Sequence, residues 1–427
     1  MKVNVEDITQ VEKRLQVEVP PEVVRRAIDR TCQRLSQKVD LKGFRKGRVP
    51  KSVLRRLFKE HVEEKAIELI VEESLPRAVR ESGLQPILRP TLEDYGELKE
   101  TQAFTYTARL EIRPDFELPR EAYVGVEVEK PSEEVSEKEV EEYLEALRYT
   151  FAEIKKAPED HPLQERDVAI LAFKAYEGDR PVPGHEAEAL YVDVGTGEFD
   201  ERVEKAILGH KVGDEVEVEV EYPEEALNEL LAGKKIRYHV VIREIYVREL
   251  APLDDEFVKK MKLGFESAEH LRERVRARLE EERRRKAEEK LREDLLAKIL
   301  EKVDFPVPER YVEFKLAQMI EGIEQDLQQK GHTFESAGIS VERLKKRLRP
   351  VAERQAREEF LLEKIAEQEG ITLTQEELEK KAQEMARASG GRLEEARQVI
   401  MTYMVPKLLA EKTLEFLVSQ ARIQEKE

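Results

Sequence analysis

The 427-residue chain carries 75 Lys and Arg against 93 Asp and Glu, a net charge of −18, with 6% aromatic residues and no Trp. That length exceeds one ordinary domain core and predicts two to four domains, and the acidic balance excludes a chain that binds nucleic acid over its whole surface, so any such contact must be local. The single cysteine, Cys32, excludes an internal disulfide framework and a cysteine-built zinc site.

The opening stretch, residues 1–10, is mixed polar, without a charged start followed by an apolar run. No segment approaches the roughly 18 apolar residues of a membrane span, so a cytoplasmic protein with no membrane partner is expected. Residues 1–113 read as an α+β unit. Val11, Leu15, Val17 and Val19 alternate like a strand; Pro20-Pro21 ends it, and Pro21 suits a helix start, where its missing N–H does no harm. Helical spacing follows in Val23, Val24, Ala27, Ile28, Leu35 and Val39, with Cys32 read as a buried small apolar residue rather than a reactive thiol. Residues 43–50 form a loop by their glycines and proline. A second helical pattern runs from Val53 to Leu75, and residues 104–112 alternate as a strand.

Residues 114–149 read as a Pro-marked linker feeding an amphipathic helix through Val140, Tyr143, Leu144 and Leu147. Residues 150–246 are strand-rich, with β patterns at 168–173, 190–194, 216–222 and 236–245. Residues 247–427 are almost wholly helical. Leu271, Val275, Leu279, Ala287, Leu291, Leu295 and Ile299 form one drifting apolar stripe. Glu280–Arg284, Glu281–Arg285 and Glu282–Lys286 are i,i+4 pairs in the favourable order. Helix breaks are expected near Pro306 and Pro308, from Gly331 to Gly338, at Gly370 and at Gly390-Gly391.

No cofactor or metal is expected. Gly233-Lys234-Lys235 lacks the upstream glycine and the Ser/Thr of a phosphate loop, there is no H-E-x-x-H, and the seven histidines are scattered. The loop at 43–50 is the most informative feature. Lys38, Lys42, Arg45, Lys46, Arg48, Lys51, Arg55, Arg56 and Lys59 crowd one helix–loop–helix tip around a single acid, Asp40. An aromatic, Phe44, beside cations suits a surface of RNA phosphate and protein together. A solvated turn whose Phe44 tucks back onto the helices is the competing reading.

Gly43-Phe44-Arg45-Lys46-Gly47-Arg48-Val49-Pro50 resembles the signature G-F-R-x-G-x-x-P of the trigger factor family. The resemblance implies that Gly43, Phe44, Arg45, Lys46, Gly47, Arg48 and Pro50 bind the ribosome, against a tunnel-exit ribosomal protein and rRNA. The family's domain order also fits the chain: a ribosome-binding domain at 1–113, a linker and helix at 114–149 belonging to the C-terminal domain, an FKBP-like isomerase domain at 150–246 and a helical chaperone domain at 247–427. The expected fold class is therefore multidomain α+β, with an N-terminal α+β ribosome-binding domain, an inserted FKBP-like β domain and an all-α C-terminal chaperone domain.

The β region resembles an FKBP-type prolyl isomerase in its framework: residues 168–178, Gly195-Thr196-Gly197, residues 209–214 and Tyr222-Pro223-Glu224-Glu225. Its pocket differs. Where the family shows Ile-Pro-Gly-Phe-Glu, this chain reads Asp200-Glu201-Arg202-Val203-Glu204, and Asp-Phe of the first strand appears as Leu171-Ala172 unless a one-residue shift brings in Phe173. A vestigial pocket is expected near Phe173, Phe199, Val203 and Tyr238, with no catalytic residue assigned. Charges at Asp200 and Glu201 oppose the apolar cup that a twisted imide requires.

The resemblance implies peptidyl-prolyl isomerase activity, and the altered pocket predicts that it is weak or absent here. Two functions follow from the sequence: a ribosome-docked, ATP-independent chaperone for nascent and unfolded polypeptides, or a free prolyl isomerase whose helices recruit substrates or dimerise. A homodimer off the ribosome is the family's habit. Met261, Met319, Met401 and Met404 are the candidate client contacts, because flexible thioethers suit promiscuous binding.

Overall fold

The computed structural model describes residues 1–197 and 199–425. Contacts divide it into two compact units built from separated stretches of chain. One comprises Met1–Val124, Lys298–Met319 and Arg349–Gln420; the other comprises Gly125–Ala297, Ile320–Leu348 and the stretch from Ala421 onward.

The first unit opens on β1 (Lys2–Asp7), β2 (Glu12–Val19), α1 (Pro21–Lys38), α2 (Lys51–Leu57), α3 (Lys59–Ser82), β3 (Thr91–Tyr95) and β4 (Phe104–Glu111). The strands make an antiparallel sheet in the order β1-β2-β4-β3. Along β4 the period-2 pattern buries Phe104, Tyr106, Ala108 and Leu110, and these join the apolar stripes of α1 and α3 in one core. In α1 that stripe is Val24, Ala27, Ile28, Thr31, Cys32 and Leu35, at helical spacing. Cys32 is buried, and desolvation pushes its thiol up, as an inert core cysteine requires. The expected single helix from Val53 to Leu75 is two, because the backbone leaves helical geometry at Phe58. Strands β1 and β3 were not legible, since both are mostly exposed and carry little apolar alternation.

After the short α4 (Arg120–Tyr123), the second unit contains β5 (Glu127–Lys130), α5 (Glu137–Thr150), β6 (Glu153–Lys156), β7 (Val168–Glu177), β8 (Arg180–Asp193), α6 (Glu201–Ile207), β9 (Glu215–Glu221), β10 (Lys235–Glu249) and α7 (Asp255–Lys260). The strand-rich region is a five-stranded antiparallel sheet in which β10 pairs with β7 on one edge and with β9 and β6 on the other. Val203 and Ile207 of α6 are buried in its core. The helix α5 starts in a capping box of Ser136 and Glu139 and shares a core with α7 and the start of α8 (Ala268–Leu300).

The remaining elements are α9 (Glu309–Gln329), α10 (Val341–Glu369), α11 (Gln375–Ser389), α12 (Leu393–Val399), a π-helical turn at Ile400–Met404, α13 (Val405–Gln420) and β11 (Arg422–Glu425). All four expected helix breaks occur, and Gly370 and Gly390 take the left-handed conformation that ends a helix without a Cβ clash. The apolar stripe of α8 is also present: Leu271, Val275, Ala287, Leu291, Leu295 and Ile299 are buried. Its expected ion pairs are not the ones formed. The helix instead carries Arg278–Glu282, Arg285–Glu289 and Lys290–Asp294. No helix among the described residues is long and apolar enough to cross a membrane.

Candidate functional site

The basic loop joins α1 to α2 and is fixed at its base by one serine. Ser36, buried on α1, accepts Gly47 N–H through its carbonyl at 2.9 Å and Val49 N–H through its Oγ at 3.2 Å. Val49 is buried, so the C-terminal arm of the loop is anchored while residues 43–46 project. Gly43 and Gly47 adopt φ of +94° and +80°, the left-handed region that an L side chain resists. Phe44 is 38% exposed. Arg45, Lys46 and Arg48 are exposed. Among the described residues none of Lys42, Arg45, Lys46 and Arg48 is ion-paired, whereas Lys51, Arg55 and Lys59 on the following helices hold Asp29, Glu100 and Glu63. The loop tip thus presents an aromatic ring and cations without internal counter-charges.

In the β domain, the structure brings together three of the four expected pocket residues. Phe173 and Phe199 lie 4.8 Å apart between ring centroids, and Tyr238 meets Phe199 edge-on at 5.9 Å and Phe173 at 6.3 Å. A register shift between Leu171 and Phe173 in the β7–β8 ladder accompanies Phe173 reaching this cluster. Val203 is wholly buried in the core against which Phe173 and Phe199 pack. Phe199 is held by Glu204, whose buried carboxylate accepts the N–H groups of Gly195, Gly197 and Phe199 at 2.8, 3.4 and 2.9 Å. The rim of the cup is polar. Tyr222 donates its O–H to Asp200 at 2.7 Å, and the Tyr222 and Tyr238 hydroxyls are 2.8 Å apart. Burial pushes the Asp200 carboxyl up, but hydrogen bonds from Arg202 and Tyr222 outweigh it and hold the group below its usual range. Burial, with the Tyr238 and Asp200 contacts, pushes the Tyr222 phenol far up.

Residues 1–147 match the family model described as bacterial trigger factor protein, and residues 267–419 match that for the C-terminus of the same protein. The chain is 31% identical to a trigger factor of Syntrophotalea carbinolica, across 99% of this chain and 97% of that one. It is 32% identical to trigger factors of Oleidesulfovibrio alaskensis and Moorella thermoacetica, covering 97% and 95% of those chains and 99% or more of this one. The chain belongs to the trigger factor family.

Of the four methionines read as client contacts, Met401 is 63% exposed, beside Tyr403 at 76%, on the π-helical turn. Such turns are recurrent at functional sites. Met319 and Met404 are half-buried. Met261 is corrected: it is 5% exposed and packs with Val140, Leu144, Phe257 and Val258, because the helical period places it on the inner face of α7's C-terminal end. Next to it lies a groove of about 480 Å³ lined by Tyr143 and Leu147 of α5, Leu263, Phe265 and, on α8, Leu271, Val275, Arg274 and Arg278. Leu263 is 51% exposed there. The sequence assigned no role to Ser36 and placed Tyr222 only in the framework stretch Tyr222-Pro223-Glu224-Glu225. Both act through partners outside their own element, Ser36 on Gly47 and Val49 and Tyr222 on Asp200 and Tyr238.

Proposed function

We propose that this member of the trigger factor family is an ATP-independent chaperone that docks at the ribosomal exit tunnel through residues 43–50 and shields nascent and unfolded polypeptides with its helical regions. The observation carrying the reading is the pinned loop whose Phe44, Arg45 and Lys46 project without internal partners. Cations already neutralised inside the protein release few counterions on binding RNA, whereas these remain available to phosphate. Phe44 supplies an apolar contact to a ribosomal protein. Residues 1–113 form the docking domain in this reading, 150–246 the isomerase-like arm, and 114–149 with 247–427 the chaperone body. The protein works in the cytoplasm, and dimerises when off the ribosome.

Client contacts are assigned to Met401, to the half-buried Met319 and Met404, and to the groove at Leu263 and Phe265. Dispersed apolar side chains among charges favour weak, reversible and promiscuous binding. The β domain contributes little isomerase activity, because its aromatic cup carries an ionised carboxylate at the rim. That polar rim disfavours the alternative of a free isomerase.

The deciding experiment is co-sedimentation with ribosomes of wild type and of Phe44→Ala/Arg45→Ala/Lys46→Ala at two salt concentrations. The wild type binds, and the variant loses binding with a log–log salt slope flatter by roughly 0.7–0.9 per lost phosphate contact. Equal binding of the two, or binding by neither, would remove the loop as anchor and leave the isomerase reading in front.

A further inference from the structure

We infer that the loop between β9 and β10 and the tip of the α9–α10 hairpin form a polar clasp, and that its opening frees the strand-rich region to swing on the neck that joins it to the helices. Loop, hairpin tip and neck all lie in the second compact unit.

Residues 222–234 link β9 to β10, and residues 330–340 link α9 to α10. Ser340, the residue before α10, gives its backbone N–H to the Leu227 carbonyl at 2.9 Å and its hydroxyl to the Glu229 carboxylate. Arg343, in the first turn of α10, donates through Nη1 to the carbonyl of Glu224 and, at 3.3 Å, to that of Ala226. Three loop carbonyls thus meet donors at the start of one helix. Gly338 completes the fit. Its φ is +65°, and a Cβ there would lie 2.6 Å from Asn228 Nδ2, so both backbone conformation and space oppose a side chain. Asn228 is itself held in place. Its Oδ1 accepts Leu230 N–H at 3.0 Å, and its Nδ2 lies 3.1 Å from His185 Nε2. The Pro183 carbonyl, 3.2 Å from His185 Nδ1, takes the proton of that nitrogen and leaves Nε2 to accept from Asn228.

Chemistry and leverage make this joint releasable. Its contacts are hydrogen bonds between residues that are half-buried or exposed, so water reaches them. Such a bond exchanges its protein partner for solvent at small net cost. The strand-rich region is joined to α5 and α7 by two chain crossings, residues 151–152 and 250–254. Arg148 of α5 ties them by donating through Nε to the Ala251 carbonyl at 2.8 Å. β10 runs from Lys235, where the loop ends, to Glu249 at the neck, and its 15 residues span roughly 45 Å at the rise of an extended strand. Pairing with β6, β7 and β9 stiffens it. A small rotation at the neck is therefore a large displacement at the loop. A few hydrogen bonds at the far end of that lever hold the whole region, and their loss leaves the neck as a hinge.

The test follows amide exchange and pulsed electron paramagnetic resonance in the full chain, with spin labels at Glu225→Cys and Glu335→Cys; Cys32 is buried and stays unlabelled. In this chain the Ser340 amide should exchange at least roughly tenfold faster than the amides of the β7–β10 ladder, because it opens locally. Glu229→Ala/Arg343→Ala leaves Ser340 in place as the reporter. It should speed that exchange roughly tenfold further and turn one narrow label distance into a broad, longer distribution, with the ladder still protected. A Ser340 amide as protected as the ladder before substitution would show that the joint parts only when the unit unfolds. A double variant that keeps the narrow distance would show that these bonds do not hold the region. Either result overturns the clasp. If the double variant loses the protection of the ladder, Arg343→Ala alone decides by the same distance.

Discussion

Ser36 shows how a single side chain sets the geometry of the proposed anchor. It satisfies two loop amides, one through its hydroxyl, in a place closed to water. Replacing it with alanine leaves Val49 N–H buried without that acceptor. Ser36→Ala should weaken the loop base by about 1 kcal/mol, seen as roughly fivefold faster amide exchange at Val49; unchanged exchange would show that the hydroxyl is dispensable. The loop's composition was legible because glycines at forced left-handed φ and a cluster of cations leave a mark in sequence. The role of Ser36 was not, because a buried serine on a helix looks the same whether or not a loop rests on it. A second residue, Glu377, links structure to pH. The Lys412 ammonium, then the Thr374 amide, hold its carboxyl down to about 2 from an ordinary 4.5. A depressed carboxyl contributes stability in full above its unfolded value and loses it as pH falls through the folded one. The start of α11 should therefore be stable above pH 4.5 and loosen progressively toward pH 2. Helix NMR signals followed during acid titration should show this, and Glu377→Gln should flatten the profile; an identical profile in the variant would rule Glu377 out as its source.

At the scale of elements, helix positions and breaks followed from apolar period and from glycine and proline, which act locally. Pairings across the chain did not. β5 and β11 form a parallel pair, Glu127 to Arg422 through Lys130 to Glu425, from segments nearly three hundred residues apart that are short and charged. The ion pairs of α8 also departed from the expected set. Within the helix Glu282 takes Arg278 and Arg285 takes Glu289 in place of the expected partners, while Arg272, Arg276 and Arg283, outside the expected set, reach Glu141, Glu137 and Glu139 of α5. Exposed pairs of either kind are worth only tenths of a kcal/mol, which is why the register can change without loss. Glu111 is a stronger link. Buried at the end of β4, it accepts the backbone N–H groups of Arg310 and Tyr311 at 2.8 and 3.2 Å, at the N-terminus of α9. Burial pushes its carboxyl up, while the amide hydrogen bonds oppose that rise. Glu111→Ala should free the start of α9 by about 1–2 kcal/mol, the usual value of a lost N-terminal cap. Amide exchange over residues 309–312 should accelerate selectively; a uniform change across the first unit would point to a general packing defect instead.

For the whole molecule, the proposed client surface separates apolar residues that build cores from those left exposed to meet partners. Met261→Ala should destabilise the second unit by about 2–4 kcal/mol, as a buried methionine truncation does. Leu263→Asp and Met401→Ala should leave thermal stability nearly unchanged and weaken binding of an unfolded, proline-free polypeptide several-fold, measured by suppression of its aggregation. Full retention of that activity in both variants would remove these surfaces from the client site. Sequence by itself determined the family signature at 43–50, the strand and helix character of each region, the breaks between helices and the polar substitution at 200–204. All of these are local properties, carried by side-chain type, period and backbone preference. Only the tertiary structure decided that Phe44 is outside and Met261 inside, that Phe173 reaches Phe199 and Tyr238, that Tyr222 hands its proton to Asp200, and that each compact unit is assembled from three separated stretches. Burial and pairing depend on which distant surfaces meet, and the hydrophobic effect that selects them is non-directional, so their outcome is not written in any one segment.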